Sequence, residues 1–156
     1  GVLAKPLQVP GGVAFGAEEL AAHVVVHADH FPAQAVEIAD RLAADQGFAA
    51  AQLTVGQMYT AGFTVARDDK EALRWYRLAA DQGLPEAHLT LGQVYEKGIG
   101  VPQDLLASYI EFSLAAADGV EEAAKEKDRL ARKLPAPERQ AAEAEATRRF
   151  ANLGGR

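Results

Sequence analysis

The sequence predicts an all-α fold, an α-solenoid of antiparallel helix hairpins, and three observations predict it. Residues 51–86 align without a gap on residues 87–122, a period of 36, and a fixed period of this size marks stacked supersecondary units. Residues with a punctuating role recur at fixed phases of that period: Gly62 and Gly98, Gly83 and Gly119, Asp68 and Asp104. Ala, the best helix former, supplies 33 of the 156 residues, in a chain 49% hydrophobic and 24% charged. Such a balance suits a packed globular domain.

Taken in order, residues 1–16 contain Pro6, Pro10 and Gly11-Gly12 and read as an extended or flexible leader, or a linker from a larger protein. The start at Gly1 instead of Met reads as processing or excision. Helices are expected at 17–29, 33–46, 49–61, 68–82, 85–97, 104–118, 121–134 and 137–151. The first seven form a repeat array over 17–134, and 135–156 is a C-terminal capping helix and tail. The array extends the period backward, since Leu42, Ala43-Ala44 and Gly47 precede Leu78, Ala79-Ala80 and Gly83 by 36 residues. Gly62, Gly83, Gly98 and Gly119 stand where a left-handed C-terminal cap suits glycine. Asp68 and Asp104 stand at N-cap positions, Asp68 with Glu71 three residues on, as in a capping box. Gly56 and Gly92 fall inside helices, where glycine costs about 1 kcal/mol relative to Ala. Their shared phase predicts another helix packed too close for a side chain, with Tyr59 and Tyr95 filling the space beside that contact. In the last helix Ala142, Ala146, Phe150 and Leu153 share a face. Glu138, Arg139, Glu143, Glu145, Arg148 and Arg149 are expected on the outer face, as a cap requires.

The pattern resembles the Sel1-like repeat family, a relative of the tetratricopeptide repeat. The residues that carry the resemblance are Ala51, Leu53, Gly56, Tyr59, Gly62, Val65, Asp68, Ala72, Trp75, Tyr76, Ala79-Ala80 and Gly83, and again Ala87, Leu89, Gly92, Tyr95, Gly98, Gly100, Val101, Pro102, Asp104, Tyr109, Phe112, Ala115-Ala116 and Gly119. The second unit departs from the first at Gly100 for Thr64, Ser108 for Ala72 and Glu111 for Trp75. These changes predict a less buried second helix at that point. The resemblance implies a protein–protein interaction module or adaptor of bacterial type, periplasmic in preference to cytoplasmic.

No apolar run approaches the 18 residues of a membrane span. With no Cys, disulfide and thiolate chemistry are excluded. A net charge of −6 argues against a general nucleic-acid binder. Residues 1–120 carry 15 acidic and 7 basic side chains, whereas residues 121–156 carry 7 and 9, an asymmetry that can steer a polar partner to one end. Gly98–Gln103 imitates part of a phosphate loop but lacks the third glycine and the preceding strand that the motif needs. His23, His27, Asp29 and His30 are the best metal candidates, with His23 and His27 on one helix face. Val24 stands where a zincin would have Glu, so these residues read as polar positions of the first helix, and no cofactor is expected. Ser and Thr lack a base: His88 has no evident Ser–Asp pair. Acidic pairs such as Asp68-Asp69, Glu18-Glu19 and Glu121-Glu122 fit helix starts. Trp75, Tyr76, Tyr109 and Phe112 read as core, and Lys125, Lys127, Arg129, Arg132 and Lys133 as a solvated face. No enzyme is expected.

Surface remains. The family geometry carries the first helix of each hairpin to the concave side. That implies inward-facing partner-binding residues Leu53, Gln57 and Thr60 in the first unit, Glu86, Leu89, Gln93 and Glu96 in the second, and Glu122, Lys125, Arg129 and Arg132 in the third. Such a groove, acidic in the middle and basic toward the C-terminal end, suits a protein or peptide segment. The alternatives are a dedicated inhibitor or immunity protein of a toxin or enzyme, and a metal-binding protein using the histidine cluster.

Overall fold

A computed structural model describes residues 7–8, 14–15, 33–62 and 65–154. Seven helices follow one another among these residues: α1 Ala33–Asp45, α2 Ala49–Ala61, α3 Asp69–Asp81, α4 Pro85–Lys97, α5 Leu105–Ala117, α6 Glu121–Ala131 and α7 Ala136–Asn152. The expected helix at 17–29, with its histidines, lies outside the described residues. Leu7–Gln8 (β1) and Ala14–Phe15 (β2) pair as a minimal antiparallel ribbon, Leu7 opposite Phe15, so part of the expected leader is paired backbone.

The repeat is visible bond by bond. In the tight turns, Phe48 N–H donates to Ala43 O, Leu84 to Ala79 O and Val120 to Ala115 O. Gly47, Gly83 and Gly119 supply the positive φ of 82–92° that closes each. In the wide loops, Asp68 N–H reaches back to Tyr59 O at 3.0 Å and Asp104 N–H to Tyr95 O at 2.9 Å. The same aspartates cap the next helix, accepting from Glu71 N–H (3.1 Å) and Ala107 N–H (2.9 Å). Helix α6 stops at Ala131, short of the expected 134. Pro135 disfavours helical backbone at Leu134, and the chain turns there before α7.

Within each hairpin the mid-helix glycine does what its phase predicts. A Cβ on Gly56 would lie 2.5 Å from the Tyr76 ring, and one on Gly92 2.5 Å from the Phe112 ring. The aromatic ring of the second helix thus occupies the space a side chain would need on the first. Tyr59 and Tyr95 do more than fill space beside this contact. Arg41 donates to the Tyr59 hydroxyl at 3.2 Å and Arg77 to that of Tyr95 at 3.0 Å, tying each hairpin to the helix before it.

Trp75, Tyr76, Tyr109 and Phe112 are all buried. Helix α5 is the centre of the molecule, packed by α4, α6 and α7. Leu42, Leu78 and Leu114 share a repeat phase. The first two are 38% and 37% exposed and the third is 1% exposed, because α7 folds back onto α5 and covers that face.

Candidate functional site

Helices α4 and α6 face one another across a cleft of 510 Å³ lined by Gln93, Glu96, Lys97, Gln103, Glu126 and Arg129. Each wall is an amphipathic helix that turns its apolar side to the core, Leu91 and Val94 on α4 and Leu130 on α6, and so presents polar residues to the cleft. Arg129 spans it. Its Nη2 donates to Glu96 Oε1 and Oε2 at 2.6 and 2.7 Å, and its Nε to Glu126 Oε2 at 2.8 Å. Glu96 first and Glu126 second hold this guanidinium more firmly protonated than an ordinary arginine. Gln103 Nε2 donates to Glu96 O at 2.8 Å, which fixes the rim. The cleft is therefore a framework of spent ion pairs that leaves the Gln93 amide and the exposed Lys97 as its open polar groups.

Of the residues expected to face inward, Gln93, Glu96 and Arg129 are brought together here. Gln57 occupies the same repeat phase as Gln93 and Arg129 and is exposed on α2. Leu53 and Leu89 are half-buried and pack against two different hydrophobic clusters. Thr60 shares a 2.8 Å hydrogen bond with the Tyr76 hydroxyl. Glu86 and Glu122 are exposed at the starts of α4 and α6. Lys125 is exposed and pairs with Glu121 at 2.9 Å, and Arg132 is exposed just past α6. In the wider basic stretch, Lys127 is half-buried over the Tyr109 ring at 5.8 Å.

The second helix of the second hairpin is not less buried at its departures from the repeat. Ser108 is fully buried and donates to Gly92 O at 2.7 Å. Glu111, 4% exposed, accepts from His88 Nδ1 at 2.6 Å and from Arg149 Nη1 at 2.8 Å. His88 is fully buried, and its Nε2 has no partner. In the first hairpin the corresponding pair is Gln52 and Trp75, where Gln52 donates to Ala44 O and accepts from Gln82. Two facing positions have changed together, from an amide and an indole to an imidazole and a carboxylate. A buried carboxylate needs such partners.

Three charges assigned to the outer face of the last helix bond across to other helices, Glu143 from an exposed position and Arg139 by donating to Ala131 O at 3.0 Å. Arg149 holds Glu111, and Glu143 accepts the Tyr109 hydroxyl at 2.6 Å. Burial first, and Glu143 second, push the Tyr109 hydroxyl well above its ordinary range. The changes at 88 and 111, read as a pair, were the signal for the buried network.

The Sel1 repeat family model matches residues 49–84 and 85–120. None of the curated proteins matches the chain significantly. Among solved structures, the chain is similar to c5321, a protective antigen present in uropathogenic Escherichia coli strains and displaying an SLR fold. The similarity extends over 90% of this chain at 26% identity with a TM-score of 0.82. This chain spans only 31% of the length of that antigen. It is also similar to a Sel1 repeat protein from Oxalobacter formigenes, at 34% identity and a TM-score of 0.64, over 72% of this chain and 84% of that one. Two consecutive model matches in phase with the hairpins, and relatives that share both sequence and architecture, make this chain a member of the Sel1 repeat family.

Proposed function

We propose that the chain is a non-enzymatic protein-interaction module that takes a partner protein or peptide along the face formed by α2, α4 and α6. The observation that carries this reading is the α4–α6 cleft. Arg129 bridges two carboxylates, Glu96 and Glu126, and leaves the trio one net negative charge, so a partner meets a preorganised polar surface with the Gln93 amide and Lys97 free to bind. A side-chain amide both donates and accepts and so matches a peptide group. Gln57, one repeat earlier, continues the line. Sel1 repeats form scaffolds that are typically non-catalytic, which agrees with this reading.

The test is affinity capture from the source lysate with the wild-type chain beside a Gln57→Ala, Gln93→Ala, Lys97→Glu variant. These three side chains make none of the ion pairs that hold the fold. A protein retained by the wild type and lost by an equally helical variant supports the module and its face. Equal capture by both removes the face from consideration.

A further inference from the structure

A second cavity, of 290 Å³, opens where α5, α6 and α7 meet, and shares no lining residue with the α4–α6 cleft. Ala117, Ala146 and Phe150 give it an apolar surface. The two hydroxyls in its lining are spent on backbone carbonyls: Ser113 donates to Tyr109 O at 2.7 Å and Thr147 to Glu143 O at 2.9 Å. What remains is one ammonium, on Lys127, and one carboxylate, on Glu143. Among the described residues, they are not within ion-pair distance of each other and neither has another charged partner. Both are oriented by the same buried ring. Tyr109 lies under the Lys127 ammonium at 5.8 Å and donates its hydroxyl to Glu143 Oε1 at 2.6 Å, leaving Oε2 open.

We propose that this cavity binds a free amino acid with an aliphatic side chain, its carboxylate on Lys127 Nζ and its ammonium on Glu143 Oε2. Two opposite charges that do not meet call for a ligand carrying both charges close together. A peptide terminus supplies only one of them and would leave the other facing an amide. The apolar surface then takes the side chain. At about 30 Å³ per water-sized group the volume holds roughly ten non-hydrogen atoms, and leucine has about that many. It stands at the lower edge of the range for small-ligand pockets, roughly 300 Å³.

The experiment is a two-dimensional NMR titration of the full-length, isotope-labelled chain with L-leucine, N-acetyl-L-leucine and L-leucinamide. L-leucine is expected to shift the amides of Ala117, Ala146, Thr147 and Phe150 saturably. The acetylated analogue lacks the ammonium and leucinamide lacks the carboxylate, and each is expected to bind at least about tenfold more weakly. Lys127→Met and Glu143→Gln are each expected to weaken L-leucine by a similar factor while keeping the amide spectrum of the folded chain. Glu143→Gln preserves an acceptor for Tyr109, so its effect reads the charge and not the fold. Absence of saturable shifts overturns the proposal. Equal binding of all three probes also overturns it, by reducing the site to an apolar cavity. Equal binding of L-leucine and its acetylated form overturns it in favour of a peptide carboxylate. Capture of a protein partner at the α4–α6 cleft is unaffected by Lys127→Met, so the two sites fail independently.

Discussion

A methyl group on Gly92 would sit 2.5 Å from the Phe112 ring, and the position is legible in sequence because a helix tolerates a mid-helix glycine twice at one phase only for a packing reason. Gly92→Ala is expected to lower stability by about 1–2 kcal/mol in urea unfolding. The overpacking cost exceeds the roughly 1 kcal/mol that Ala contributes through helix propensity. A variant as stable as the wild type contradicts the close approach. Asp40 is the residue that sequence reading passed over. It occupies the phase of Tyr76 and Phe112, is 2% exposed, and burial lifts its carboxyl from 3.8 to about 6. The fold holds this proton more tightly than the unfolded chain does. Stability contributed by the protonated form is therefore lost as pH rises from 3.8 through 6, by up to about 3 kcal/mol. Asp40→Asn is expected to remove that fall. In unfolding curves on both sides of the interval, the variant's advantage should appear near neutral pH and vanish in acid.

At the scale of the element, several helix boundaries were readable because caps are chemical: Asp at the starts of α3 and α5 and Gly past the ends answer for orphaned backbone groups. What was not readable was which charges bond across to other helices. Glu111, Glu143 and Arg149 have the residue types of a solvated face, and only the neighbour each one meets decides its hydrogen bonds. Helix α7 settles all three by lying across α5. The face it covers carries Ile110 and Ala117 where α3 carries Arg74 and Asp81, a difference that, in hindsight, marks α5 as the helix needing a cover. His88→Ala leaves a cavity in place of a fully buried imidazole and removes one of the two partners of Glu111, and is expected to cost about 2–4 kcal/mol by chemical denaturation. Arg149→Met should cost less, because Arg149 is partly solvated and His88 still satisfies Glu111. A reversed order would contradict the assignment of His88 and Glu111 as the inner pair. Deleting α7 after Leu134 should bare Ile110 and Leu114 and raise the binding of an apolar fluorescent dye, an increase that the full-length chain does not show.

For the whole molecule, stacking makes each hairpin depend on its neighbours, and α5, with three packed helices, is expected to hold the slowest-exchanging amides. The same stacking sets Gln57, Gln93 and Arg129 at one phase on three alternate helices, α2, α4 and α6. That alignment followed from the 36-residue period alone. The clamp of Glu96 and Glu126 on Arg129 did not, because it depends on the distance between α4 and α6. The chain contains no Cys, so single cysteines carrying a photo-cross-linker can be placed without background. Placing them at Gln57, Gln93 and Lys97, and on the opposite side at Arg74 and Leu78, and irradiating each with the captured partner is the most direct test of the proposed interaction face. Cross-links from the α2 and α4 positions, with none from α3, are the predicted result. Cross-links confined to Arg74 and Leu78 would contradict it.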